Sequence, residues 1–198
     1  MQIITFAAID IGSYEVGMKI LELVPKTGIR EIDYIRHGIE LGRDAYNKGK
    51  IGNEMLEELC RVLEDFTRIM KEYQVDDYRA CATSAIRETS NCLLILDKIR
   101  VRTGLEVEVL SNSEQRFLGY KSIASNEESF QKIIQKGTAI VDVGGGSIQI
   151  SLFDKDALVS TQNMRLGTMR IRERLAEVES RTNHFGDIIE EMINNELK

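Results

Sequence analysis

Two short apolar segments in this chain end in the same acidic turn. Residues 3–10 (Ile-Ile-Thr-Phe-Ala-Ala-Ile-Asp) run into Ile11-Gly12, and residues 138–142 run into Val143-Gly144. Short apolar runs broken by glycine read as buried strands that end in tight turns. The pattern beyond each turn also repeats. After Asp10-Ile11-Gly12 comes a strand over residues 16–23, a hairpin at Pro25-Lys26-Thr27-Gly28, and a third strand over roughly residues 30–41. After Asp142-Val143-Gly144 comes a strand over 148–153, a turn at Asp154-Lys155-Asp156, and a strand over 158–164. The recurrence constrains the chain to two units of one design, each opened by three strands.

The stretch between these openings alternates helix and strand. Residues 42–52, rich in Gly and Asn, read as a loop. A helix comes next over 53–74, where Leu56, Leu59, Leu63, Phe66, Met70 and Tyr73 recur at three and four. Residues 78–83 read as a strand, 91–103 as a helix stopped by Gly104, and 106–110 as a strand. Ser111 opens a helix to about residue 124, and in the second unit a helix starts at about Thr168. The first unit is therefore βββαβαβα, and the division is placed at 1–126 and 127–198. The second unit stops short of two further strands, so a fragment or a reduced version is expected, with a sheet edge that needs cover.

Composition narrows the function. The chain has 198 residues, 42% of them hydrophobic, enough for a real core. Its net charge of −6 argues against nucleic-acid binding but permits a local site for a small anion. Cys60, Cys81 and Cys92 form no C-x-x-C pair, and His37 and His184 have no ligand partner at useful spacing, so neither disulfides nor zinc are expected. No apolar run is long enough to span a bilayer, and a cytoplasmic protein is expected.

The turns themselves suit phosphate. Glycine lets backbone N–H groups approach an anion closely, and Gly144-Gly145-Gly146-Ser147 is a nest of that kind, with Gly12-Ser13 a smaller one expected to face it. An aspartate beside each nest would repel phosphate unless a cation lay between them. Asp10 and Asp142 are thus expected as Mg²⁺ ligands, since Mg²⁺ binds through few carboxylates and keeps several waters. The alternative is an ordinary pair of turns, which Asp and Gly favour anyway.

Five segments resemble the exopolyphosphatase/guanosine pentaphosphate phosphohydrolase (Ppx/GppA) family. They are Ala8-Ile-Asp-Ile-Gly-Ser13, Ala82-Thr-Ser-Ala-Ile-Arg87-Glu88, Leu110-Ser-Asn-Ser-Glu-Gln115, Val141-Asp-Val-Gly-Gly-Gly-Ser147 and Arg165-Leu-Gly-Thr168. The resemblance implies an α/β protein of the actin-like ATPase (ribonuclease H-like) fold. It implies removal of a terminal phosphate from inorganic polyphosphate or pppGpp with Mg²⁺, with guanosine penta- or tetraphosphate or polyphosphate as ligand and no membrane partner; a homodimer is compatible with it. Carried over by position, Asp142 matches a metal or phosphate-site aspartate. Gly144, Gly145, Gly146 and Ser147 match the phosphate loop, Gly12 and Ser13 the opposing loop, and Arg87 a cleft arginine whose planar donor fork suits phosphate. A surface arginine at a helix end is the alternative for Arg87.

The departures bear on catalysis. The family glutamate that activates water falls on Gln115, and an amide cannot accept a proton as a carboxylate does. Glu114 beside it could substitute, but Ser111-Asn-Ser-Glu114 is a capping box, and the cap is the favoured role. Gln149 likewise replaces a carboxylate after the glycine loop, while Ser13-Tyr14-Glu15 adds one to the first loop. The reading is a phosphohydrolase with weakened catalysis, against a phosphate- or nucleotide-binding sensor of the same fold, with an actin-like kinase third. Arg165, Arg170, Arg172 and Arg174 could attract a polyanion, but a solvated helix face paired with Glu173 and Glu177 is favoured.

Overall fold

The computed structural model describes residues 3–25, 28–126, 130–179 and 184–196. The chain forms two compact units, Met1–Leu110 and Ser111–Lys198.

The first unit is built on a five-stranded sheet of β1 (Ile4–Ile11), β2 (Glu15–Val24), β3 (Gly28–Gly38), β4 (Asp77–Ala82) and β5 (Val107–Val109), in the order β3-β2-β1-β4-β5. β1 runs antiparallel to β2 and parallel to β4, which is parallel to β5. The helices are α1 (Leu41–Lys48), α2 (Asn53–Glu72), α3 (Ser84–Arg87) and α4 (Cys92–Thr103). Strand alternation puts Ala7, Ile9 and Ile11 on one face of β1. They share a single buried cluster with Leu56, Leu59, Leu63 and Phe66 of α2 and Ile95 and Ile99 of α4. Outside that core, Glu57 of α2 meets Lys98 at 2.5 Å and Arg102 at 2.9 Å on α4, which aligns the two helices. Parallel pairing brings the ends of β1 and β4 to one edge, where ligands of open α/β sheets bind.

Two expectations need correction here. Residues 42–52 are not all loop, because α1 occupies Leu41–Lys48, and β3 ends at Gly38 rather than near 41. Leu41 and Ala45 are buried, Asp44 pairs with Lys48 at 2.7 Å, and Gly49 closes the helix in the left-handed region at φ 66°. The Gly and Asn content of the segment masked these tertiary anchors. Arg87 ends the short helix α3, which follows β4 directly, so it stands both past a strand end and at a helix end.

The second unit holds α5 (Asn112–Asn126), α6 (Phe130–Ile134), a three-stranded antiparallel sheet of β6 (Thr138–Val143), β7 (Ile148–Asp154) and β8 (Ala157–Met164), then α7 (Thr168–Glu179) and α8 (Phe185–Glu196). The units divide at Leu110/Ser111, so α5 groups with the second, whereas the division expected at residue 126 leaves it in the first. Two contacts explain the grouping: the Tyr120 hydroxyl of α5 donates to Ser151 of β7, and the Tyr120 ring meets Phe153 edge-on at 5.2 Å.

The internal repeat runs further than the strands. Asp10 pairs across the sheet with Gly17, and Asp142 with Gln149. Each subsequent hairpin carries one register shift, at Ile20/Leu21 and at Leu152/Phe153. A buried leucine followed by glycine opens the next helix in each unit: Leu41-Gly42 in the first, Leu166-Gly167 in the second. One difference stands out. Ile9 and Ile11 are 3% and 0% exposed, whereas Val141 and Val143, their equivalents, are both 55% exposed. Among the described residues β6 has a strand neighbour on one side only, β7.

Candidate functional site

Each unit carries one acidic loop, and the two are built alike. In the first, the Gly12 N–H donates to the Glu15 carbonyl at 3.0 Å; in the second, the Gly144 N–H donates to the Ser147 carbonyl at 2.9 Å. The helix after the third strand then binds the loop from behind. Gly42 N–H donates to the Ser13 carbonyl at 2.8 Å, and Thr168 N–H to the Gly144 carbonyl at 3.0 Å. The first-turn amides of these helices, which lack partners within the helix, are thus spent on holding the loops.

Behind the first loop lies a closed triangle of hydroxyls. Ser13 Oγ is 2.6 Å from Tyr46 Oη and 3.1 Å from Ser84 Oγ, and Tyr46 Oη is 2.9 Å from Ser84 Oγ. Each hydroxyl has one proton and two lone pairs, so a three-membered ring satisfies all three groups. Ser13 is buried, and its hydroxyl points into this ring. Tyr46 lies in no motif that marks it for the site, while Ser84 lies within the Ala82–Glu88 segment; they arrive on α1 and α3, far apart in sequence. Arg87, at the end of α3, donates to the carbonyl of Leu110, which secures α3 to the end of β5. Burial lowers its pKa, against the opposing influence of Glu88 and Tyr46.

Asp10 closes β1. Its surface is open to solvent, yet the protein atoms around it displace enough water to raise its pKa, and the charge of Glu15 raises it further. Two neighbouring carboxylates suit a hydrated divalent cation, which would relieve the cost of ionising Asp10.

The second loop is packed more tightly. A Cβ on Gly167 would lie 2.3 Å from the backbone of Gly145 and Gly146, so α7 touches the loop where only glycine fits. Met169 N–H donates to the Gly145 carbonyl at 2.9 Å, and the buried Arg170 side chain donates from Nε to the Gly146 carbonyl at 3.0 Å. Arg170 therefore serves the loop's architecture. The burial of Arg170 departs from the solvated helix face expected for this cluster, and Arg172 pairs with its sequence neighbour Glu173 at 3.3 Å, less than a helical turn away; the side chain of Glu177 lies outside the described residues.

Beside this loop, α5 and the β6–β7 pair line a half-open cavity of about 280 Å³, bordered by Arg116, Tyr120, Asp142, Gln149 and Ser151 with apolar Ile123 and Ile140. Gln149 is 2% exposed, and neither its amide oxygen nor its nitrogen has a hydrogen-bond partner. The capping box forms as expected: Ser111 N–H donates to Glu114 Oε2 at 2.8 Å, and Glu114 N–H to Ser111 Oγ at 3.2 Å. Gln115 comes next, with a buried, unpartnered Oε1. Among the described residues no group of three or more His, Cys, Asp and Glu is placed to hold a metal. Asp10 with Glu15 fits Mg²⁺, while Asp142 lies at a cavity that also presents a guanidinium and an amide.

The Ppx/GppA phosphatase family model matches residues 24–198. The chain belongs to the Ppx/GppA phosphatase family. It is 24% identical over 174 residues to the bifunctional 3-dehydroquinate synthase/phosphatase of Fusobacterium nucleatum, covering 85% of this chain and 26% of that protein. Exopolyphosphatase 1 of Mycobacterium bovis is 23% identical over 144 residues, 72% of this chain and 40% of its own length. The crystal structure of the Aquifex aeolicus Ppx/GppA family member aligns with a TM-score of 0.70 at 25% identity, covering 87% of this chain and 54% of that one. The chain thus spans between 26% and 54% of the length of these relatives. Its fold is the actin-like ATPase design of the family, with helices and a mixed sheet in the first unit. No helix among the described residues is long and apolar enough to cross a membrane.

Proposed function

We propose that this Ppx/GppA chain serves a phosphohydrolase that releases the terminal phosphate of inorganic polyphosphate or pppGpp with Mg²⁺, at a rate lowered by Gln115 and Gln149. The observation that carries this reading is the matched loop design in the two units, with the Gly12-to-Glu15 and Gly144-to-Ser147 hydrogen bonds in equivalent places. Phosphoryl transfer asks a protein mainly for positioning and electrostatic stabilisation, which rigid glycine loops supply. Mg²⁺ held at Asp10 and Glu15 would neutralise phosphate charge. Arg87, anchored at Leu110, contributes a cation at the strand ends of the first unit.

One step is weakened. Gln115 cannot take a proton from water, and one oxygen of the adjacent Glu114 is committed to the Ser111 N–H. Loss of a general base costs about 10²–10⁴-fold in rate. The same two facts favour a second reading, a sensor that binds the phosphorylated ligand without turnover.

Phosphate release from polyphosphate and from pppGpp, with and without Mg²⁺, separates the two. Mg²⁺-dependent release that disappears in Asp10→Asn supports the enzyme. Tight binding with no release supports the sensor, and neither binding nor release rejects both.

A further inference from the structure

Leu93, Leu94, Ile95 and Leu96 follow one another in α4, and four successive residues of an α-helix point to all its sides. The fold covers only part of that apolar surface. Ile95 and Ile99 are fully buried in the core, while Lys98 and Arg102 lean towards α2 and pair with Glu57 and Glu64. The side turned away from the core carries Leu93, Leu94 and Val101, which are 82%, 59% and 74% exposed. Leu93 and Val101 are the two most exposed large apolar side chains among the described residues. A helix that is apolar all round belongs in an interior, and an apolar patch left in water marks a contact surface. The buried isoleucines and the ion pairs to α2 fix the helix, so its outer face cannot turn inward.

The pattern of that face says what covers it. Leu93, Asp97 and Val101 are spaced by four and share one stripe, about 12 Å from end to end. At its middle Asp97 holds Arg100 at 2.9 Å. The stripe thus reads almost the same from either end, apolar at both ends and charged at the centre. Such a stripe fits a second copy of itself run antiparallel about a two-fold axis at Asp97, the isologous contact of a symmetric dimer. Leu93 and Leu94 of one copy then meet Val101 of the other. At the axis each Arg100 stands between its own Asp97 and the partner's Asp97, so the four charges alternate in sign. Parallel helices would instead set Asp97 against the partner's Asp97 and Arg100 against the partner's Arg100, with like charges opposed.

We propose that the outer face of α4 joins two copies of this chain in a two-fold dimer, with Leu93, Leu94 and Val101 as the apolar contact and Asp97 and Arg100 as the charged centre. The contact goes beyond the phosphatase reading and does not depend on it. α4 has 12 residues, a length of about 18 Å. The interface therefore lies at the small end of specific contacts, and the dimer exchanges readily with monomer.

Sedimentation velocity of the whole chain over a range of concentrations tests it. A discrete dimer is expected to grow as concentration rises. Leu93→Glu is expected to weaken it by about tenfold or more, and the exposure of Leu93 leaves the fold intact. The charges provide a sharper arm. Asp97→Arg makes all four central charges positive, and Arg100→Glu makes all four negative. Each variant alone is expected to be monomeric, while an equimolar mixture of the two is expected to dimerise. Val143→Lys alters the exposed flank of β6 instead and is expected to leave the dimer in place. A chain that stays monomeric at its highest soluble concentration would overturn the proposal and leave the face to a different protein. Dimerisation that survives Leu93→Glu or either charge variant, or that is lost in Val143→Lys, would also overturn it. So would a mixture of the charge variants that stays monomeric.

Discussion

The phenol oxygen of Tyr46 lies 2.6 Å from the hydroxyl of Ser13, and through it α1 holds the first acidic loop from the side away from solvent. Ser84 completes the ring, at 2.9 Å from Tyr46 and 3.1 Å from Ser13. Tyr46→Phe removes one member while leaving the Ser13–Ser84 pair. The expected cost is about 0.5–1.5 kcal/mol of stability, read by urea unfolding. An unchanged midpoint would show that the ring adds nothing to the fold.

Gly167 offers a sharper test. Even alanine there would drive a methyl to 2.3 Å from the Gly145 backbone, and backbone cannot rotate out of the way as a side chain can. Gly167→Ala is expected to destabilise by about 1–3 kcal/mol and to depress phosphate binding with it. Gly137→Ala is the control, because nothing lies within 4 Å of a Cβ there. Equal behaviour of the two variants would refute the close approach of α7 and the loop.

Asp10 makes a prediction about pH. Burial, reinforced by Glu15, raises its pKa above the ordinary 3.8. The folded state therefore favours protonated Asp10, so its stabilising share is full below 3.8 and is lost as pH climbs through the raised value. At pH about 7, Asp10→Asn is expected to melt higher than the parent protein, with the difference vanishing in acid. Added Mg²⁺ is expected to raise the melting temperature of the parent and not of the variant. A variant that melts lower at neutral pH would contradict the assignment.

Gln115→Glu restores a carboxylate next to the capped Glu114. If the missing base limits turnover, the phosphate-release rate is expected to rise by about 10²–10⁴-fold, with Glu114→Gln having a far smaller effect on rate. No gain in Gln115→Glu would remove position 115 from the catalytic step.

Much of the fold is legible in the chain because the governing interactions are local. The capping box at Ser111 and Glu114 spans three residues, and the strand alternation of β1 and β2 is carried by neighbours in sequence. α1 is legible only in part, since its stability comes from burying Leu41 and Ala45 and from the bond of Asp44 to the Gly52 N–H at 2.8 Å, eight residues on. α3 has four residues, too few for a periodic signal. The hydroxyl ring joins positions 13, 46 and 84 through three separate elements, and no spacing announces it. The Leu-Gly pair at 41–42 and 166–167 stands in plain letters. It acquires meaning only once each glycine is seen pressed against its loop.

The bare flank of β6 bears on how the protein behaves in a tube. Val141 and Val143 stand where the first unit buries two isoleucines, next to backbone that has, among the described residues, a strand on one side only. Such a seam is adhesive, because apolar side chains and open hydrogen-bonding groups invite the same surface on another molecule. Light scattering is expected to climb with protein concentration, and Val143→Lys is expected to suppress it. Solubility would then be governed by two valines rather than by the net charge of −6.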